Sequence, residues 1–105
     1  MAEGGKAVSS KILVLGATGF LGRRVQRQLK AAGQEYAAAS RSLGTDLTDY
    51  RQTLELFERV RPEFVLNCAA YTGGIQFGYK HPAEIFRNNL RMCVNLFEAA
   101  VATGV

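Results

Sequence analysis

Gly16-Ala17-Thr18-Gly19-Phe20-Leu21-Gly22 sets three glycines at GxxGxxG spacing, between an apolar run (KILVL, residues 11–15) and a segment of helical period. Each glycine answers a separate physical demand. Gly16 permits a tight turn, Gly19 lets the backbone approach a phosphate with no Cβ in the way, and Gly22 lets helix and strand pack closely. The first turn of the following helix adds free N–H groups and a partial positive charge, which suits a pyrophosphate. Strand, turn and helix in that order point to nucleotide binding. A loop that is tight only for its own packing is the plainer alternative.

The end of the second strand, Ala39-Ser40-Arg41-Ser42, bears on which dinucleotide. An NAD site usually presents an Asp or Glu there to accept from the ribose hydroxyls. No carboxylate is present. Arg41 can pair with a 2′-phosphate, and Ser40 or Ser42 can donate to it. The expected cofactor is NADP, with NAD possible; the plainer reading of Arg41 is a solvated loop charge.

Other reactive side chains point less far. His81 is the only histidine, so no His-containing metal cluster or His dyad can form, and it reads as a surface residue before Pro82. Cys68 ends a strand and reads as a small core hydrophobe, with a place facing the cofactor as the alternative. Cys93 reads as core or interface. Arg23, Arg24, Arg27 and Lys30 make one helix basic, and a solvated face explains them better than a nucleic-acid patch, because few aromatics accompany them.

These groups must be held by alternating elements. Residues 11–15, 35–40 and 64–68 read as strands, the first and last as buried parallel ones. Leu21, Val25, Leu29 and Ala32 recur at helical spacing and Gly33 follows as a cap. Residues 44–49 (GTDLTD) are turn-rich, with a minimal strand expected around Asp46. Thr48 or Asp49 caps a second helix carrying Leu54, Phe57 and Val60, which Pro62 stops. Residues 69–78 read as a loop with three glycines. A last helix runs from about Pro82 to Thr103, and its apolar stripe is Phe86, Leu90, Cys93, Val94, Phe97 and Val101. The order βαβαβα gives an α/β fold with a parallel sheet and right-handed crossovers. It occupies residues 11–105 after a loose tail at 1–10. No further strand follows, so the sheet is expected to be the N-terminal half of a larger one.

Composition excludes several classes. The chain has 105 residues, 48% of them hydrophobic and 21% charged, which fits one ordinary globular domain and argues against disorder. No apolar run approaches the ~18–20 residues of a membrane helix, and the start lacks a signal peptide's apolar core. A net charge of +4 suits a phosphate-bearing ligand but is too diffuse to demand nucleic acid. The two cysteines match no metal or redox spacing, so reduced thiols in a cytoplasmic setting are expected.

GATGFLG resembles the glycine motif of the extended short-chain dehydrogenase/reductases, the NAD(P)-dependent epimerase/dehydratase family, and the likeness runs over about 95 residues. Asp46-Leu47-Thr48-Asp49 is similar to the family's DLxD element, whose first Asp contacts the adenine amino group. Asn67-Cys68-Ala69-Ala70 resembles the N-A-A stretch that lies against the cofactor ribose, with Tyr71 next toward the nicotinamide. Asn89, six residues before Asn95-Leu96-Phe97-Glu98-Ala99-Ala100, matches a helix signature whose Asn helps order the active-site region. Gly73-Gly74-Ile75 and Pro82-Ala83-Glu84 sit as in the GDP-L-fucose synthase-like branch. The resemblance implies a Rossmann-type, doubly wound sheet. It also implies a dinucleotide cofactor, a nucleotide-sugar substrate for the full enzyme, and a two-fold dimer built through the last helix.

It does not imply turnover by this stretch alone. The family's acid/base is a Tyr whose phenol is tuned by a Lys four residues later. Here position +4 is Ser40 after Tyr36, Leu54 after Tyr50, Ile75 after Tyr71 and Ala83 after Tyr79. The family's Ser/Thr would follow Val105. Two classes remain: the cofactor-binding part of an epimerase, dehydratase or reductase, and a non-catalytic NAD(P)-binding sensor or interaction module.

Overall fold

Ile12–Leu15 forms β1, and its last three residues are fully buried, as a strand covered on both faces must be. The computed structural model describes residues 11–105; the expected tail at 1–10 lies outside the described residues. β1 is flanked by β2 (Tyr36–Ala39) and β3 (Phe64–Asn67) in a parallel sheet of order β2-β1-β3. The register sets Leu15 level with Ala39 and Asn67, so all three strands end together and their loops leave from one edge. From β1 the chain goes to one side for β2 and to the other for β3. A crevice opens where those paths diverge, and open α/β sheets take their ligands there.

α1 (Phe20–Ala31) links β1 to β2, and α2 (Tyr50–Val60) leads into β3. α4 (Pro82–Thr103) packs beside α2. Leu56, Phe57, Leu96 and Ala99 from these two helices close over Leu13, Leu15 and Ala39 to form the core. The helix boundaries follow from local chemistry. The Asp49 carboxylate caps α2, and Arg61 ends it at φ 51° just before Pro62. α4 starts at Pro82 and stops at Gly104, whose φ of 80° suits glycine.

Several expectations need correction, beginning with the burial of β3, an edge strand whose Phe64 and Leu66 are exposed. Residues around Asp46 form turns, not a strand, because side chains satisfy that backbone: Asp46 N–H donates to Gln52 Oε1 (2.9 Å), and the Leu47 carbonyl accepts from Asn95 Nδ2 (2.8 Å) and Thr53 Oγ1 (3.3 Å). Within the stretch expected to be loop, Ile75–Lys80 is a short helix, α3, whose Phe77 stacks on His81 at 4.6 Å between ring centroids. The apolar stripe of α4 lies on the face turned away from the core. Phe86 (70% exposed), Phe97 (64%) and Val101 (83%) face outward, while Met92, Asn95, Leu96 and Ala99 face the core. Cys93 lies on the outward face, so it is not a core residue. On α1, Val25 and Leu29 are half-buried but Leu21 is exposed and Ala32 lies past the last turn. Arg23, Arg24, Arg27 and Lys30 are solvent-exposed, as expected of a polar helix face.

Candidate functional site

The three loops that leave the C-terminal edge of the sheet enclose a cavity of about 310 Å³. The first is the glycine loop. Gly16 turns at φ 69°, and a Cβ on it would stand 2.5 Å from the Ala69 nitrogen and the Cys68 carbonyl carbon. A Cβ on buried Gly22 would stand 2.0 Å from the Gly16 oxygen. These two glycines are required by the protein's own packing. Gly19 is different. Its φ of −79° is open to any residue, and a Cβ there would meet only the Gly16 oxygen at 3.6 Å.

Gly19 is also the N-cap of α1, and it leaves that helix end without a side-chain cap or an acidic residue in the first turn. The exposed N–H groups and the helix dipole therefore remain available to an anion. A Gln26 amide holds the loop from behind by donating to the Ala17 carbonyl at 2.7 Å, and Tyr36 donates to the same side chain at 2.9 Å.

The turn after β2 forms the second wall. Thr18 Oγ1 lies 2.9 Å from Ser42 Oγ, which lies 3.1 Å from Ser40 Oγ, so a string of hydroxyls bridges the glycine loop and this turn. Arg41 is the one cation among the described residues lining the cavity, and no carboxylate pairs with it there. Its guanidinium carbon sits 5.6 Å from the Tyr71 ring centroid. Asp46 and Leu47 line the same wall, and Asp46 Oδ1 accepts from both the N–H (3.0 Å) and the hydroxyl (2.7 Å) of Thr48.

The loop after β3 supplies the third wall through Cys68, Ala69, Ala70 and Tyr71. Cys68 is half-buried, and burial pushes its thiol above the usual range, keeping it neutral. Asn89 does not line the cavity. Its side chain accepts from the Tyr71 N–H (2.7 Å) and donates to the Tyr71 carbonyl (2.9 Å), so it ties the loop to α4. The Tyr71 hydroxyl donates to Glu84 Oε2. That bond raises the phenol's pKa first, burial and the Glu84 charge add to the rise, and the Arg41 and Arg87 charges oppose it.

Thirteen of the residues singled out from the sequence thus meet around one cavity: Gly16, Thr18, Gly19, Ser40, Arg41, Ser42, Asp46, Leu47, Thr48, Cys68, Ala69, Ala70 and Tyr71. Phe20, Leu21 and Gly22 stand behind it in the first turn of α1, where the Phe20 ring lies 4.5 Å from the Arg24 guanidinium. Thr45 and Met92 complete the lining without having been expected there. Nothing in their local pattern marks Thr45. Met92 could have been found from its place on the face of α4 opposite the apolar stripe.

This arrangement has close counterparts. The chain is 32% identical over 98 residues to a probable GDP-L-fucose synthase of Drosophila melanogaster, an alignment covering 90% of this chain and 30% of that protein. A GDP-L-fucose synthetase from Naegleria fowleri bound to NADP superposes with a TM-score of 0.81 at 27% identity, covering 92% of this chain and 31% of that one. A UDP-glucose 4-epimerase from Thermus thermophilus in complex with NAD gives 0.80 at 28% identity, over 90% and 35%. The chain thus spans about a third of the length of its relatives. The model of the NAD dependent epimerase/dehydratase family matches residues 12–105, and by that match the chain belongs to this family.

Proposed function

We propose that residues 11–105 are the dinucleotide-binding part of a nucleotide-sugar epimerase, dehydratase or reductase, with NADP preferred to NAD. One observation carries the reading: Gly19 has neither backbone strain nor a crowding neighbour, yet lacks a side chain where the cavity meets an uncapped helix. A Cβ at that point would occupy the cradle a pyrophosphate needs. The described residues fit the rest of such a group. Asp46 and Leu47 would hold the adenine side, Ala69, Ala70 and Tyr71 the ribose and nicotinamide side, and Asn89 would keep that loop in place. When bound, the nicotinamide would supply hydride exchange with a sugar carbon.

The preference for NADP rests on the hydroxyls of Thr18, Ser40 and Ser42 and on Arg41, with which no carboxylate lining the cavity is paired. Fluorescence titration with NADPH and NADH tests both parts. Tighter binding of NADPH, lost with Gly19→Val and levelled to NADH by Arg41→Ala, is the expected result; equal affinities in the unaltered chain refute the preference. This stretch by itself is expected to bind without turnover, since no tyrosine has a lysine four residues on. A thermal shift with NADPH but no sustained oxidation of it with 4-keto nucleotide sugars is the matching observation.

The outward stripe of α4 supports pairing with a second copy, because Phe86, Leu90, Val94, Phe97 and Val101 are a continuous exposed apolar surface. Sedimentation should show a concentration-dependent dimer that Phe97→Glu disperses. A cytoplasmic setting suits the two free thiols.

A further inference from the structure

Tyr71 is held more firmly than a residue that merely lines a cavity requires. Asn89 on α4 grips its backbone from both sides, accepting from its N–H and donating to its carbonyl. Glu84, also on α4, takes its hydroxyl proton in a hydrogen bond. Phe77 of α3 lies against the ring at 6.1 Å between centroids, and His81 both stacks on Phe77 and approaches Glu84 Oε1 at 3.6 Å. The aromatic face left over looks across the cavity mouth to the Arg41 guanidinium, 5.6 Å from the ring centroid. Arg41 itself sits on an exposed turn, and no carboxylate among the described residues fixes its direction.

An exposed arginine samples many rotamers, and ordering one on binding an anion costs affinity. A ring face holds a guanidinium through the quadrupole while leaving its N–H edge free for bidentate contact with a phosphate. Donation of the phenol proton toward Glu84 leaves that ring richer in electrons, which strengthens its hold on a cation. We infer that Tyr71, pinned by Glu84 and Asn89, is a positioning residue for cofactor choice: its ring is the platform on which Arg41 is aimed at the 2′-phosphate. The inference rests on the proposed preference for NADP and assigns to α4 a part in a selection otherwise made by the turn after β2.

The test is the ratio of NADPH to NADH affinity, measured by titration on the full chain and on Arg41→Ala, Tyr71→Leu, Tyr71→Phe, Glu84→Ala and the Arg41→Ala/Tyr71→Leu double variant. Tyr71→Leu should lower the ratio by roughly threefold, the scale of an exposed cation–π contact, on top of any loss common to both cofactors from the ribose and nicotinamide wall. Tyr71→Phe keeps the ring but loses the bond to Glu84, so it should lower the ratio less than Tyr71→Leu and about as far as Glu84→Ala. Glu84→Ala removes no ring atom and should lower the ratio by roughly twofold, so the proposal remains testable if Tyr71→Leu does not fold. In the Arg41→Ala background Tyr71→Leu should have no further effect on the ratio. Several outcomes overturn the inference while sparing NADP preference: a ratio that falls with Arg41→Ala but not with Tyr71→Leu or Glu84→Ala, equal losses for both cofactors, or additive effects in the double variant. A ratio that Arg41→Ala leaves unchanged removes Arg41 from the selection and overturns the inference with it, whereas equal affinities in the unaltered chain overturn the preference itself.

Discussion

α1 and α2 begin within the same short chain by opposite means. At α2 the Asp49 carboxylate accepts from the N–H groups of Arg51 (2.9 Å) and Gln52 (3.4 Å), and the Gln52 side chain steadies it at 3.3 Å. At α1 the N-cap is Gly19, which offers no side chain at all, and no acidic residue follows in the first turn. Helix starts favour Asp, Ser, Thr or Asn because the first N–H groups lack partners. α2 obeys that rule for its own stability. α1, like α3 and α4, has no side-chain cap, but of these only its N-cap lines the cavity, where a ligand can partner the open N–H groups.

The largest expected effect tests the packing behind the open end. Gly22→Ala would put a methyl group 2.0 Å from the Gly16 oxygen, backbone against backbone, where neither group can swing away. A loss of about 3 kcal/mol is expected, at the upper end for overpacking, and urea unfolding with a lowered midpoint reads it. A midpoint near that of the unaltered chain would mean that α1 can shift away from β1, and the close approach would not be what requires this glycine.

Next in size is the substitution that makes α1 begin as α2 does. Gly19→Asp supplies a capping carboxylate, so the melting temperature should hold or rise slightly, since Asp is at least as good a cap as Gly. The same carboxylate would sit where the pyrophosphate belongs and repel it. NADPH affinity should fall by at least about a hundredfold, or roughly 2.7 kcal/mol. If affinity survives, the open end of α1 is not the anion site. The mirror experiment is smaller: Asp49→Ala should cost about 1 kcal/mol of stability and leave the NADPH-to-NADH ratio unchanged, because that helix end serves only the fold.

How legible each region is follows from the kind of force that shapes it. The glycine loop, the Asp49 cap, Pro62 and the bounds of α4 at Pro82 and Gly104 are local rules written in single residues, and they stand where the sequence places them. α3 is not legible, because three glycines outweigh its propensity and it is Phe77, stacked on His81 and leaning on Tyr71, that holds it. The turn at Asp46 passes for a strand in sequence because its backbone partners, Gln52, Thr53 and Asn95, come from two other helices. On α4 the period reveals amphipathicity but not which face the core takes. The packed face includes Asn95, whose polarity disguises it until its bond to the Leu47 carbonyl is seen. At the site, the first two walls are readable from residue type. The bridging of Thr18 to Ser42, and the hold of Asn89 and Glu84 on Tyr71, depend on tertiary contacts that spacing does not encode.

The smallest effect expected is a chemical one, and it sharpens the comparison by reporting on the open end directly. Cys68 lines the cavity beside Gly16, whereas Cys93 stands exposed on the far face of α4. Burial holds the Cys68 thiol above the usual range, and the thiolate is the species that reacts with iodoacetamide. At pH 8, mass spectrometry of partly alkylated protein should therefore show Cys93 modified before Cys68. The sign of the accompanying linkage is fixed by the same shift. A thiol whose folded value lies above its unfolded one contributes its stability below the ordinary thiol range, and that contribution is lost as pH rises through the raised value. The unfolding midpoint should decline slightly above about pH 9, and Cys68→Ala should flatten part of the decline. Saturating NADPH should slow alkylation at Cys68 and leave Cys93 as it was. Equal protection at both thiols would mean that the cofactor acts by general tightening of the fold; protection at neither would place it away from the wall that Cys68 shares with the start of α1.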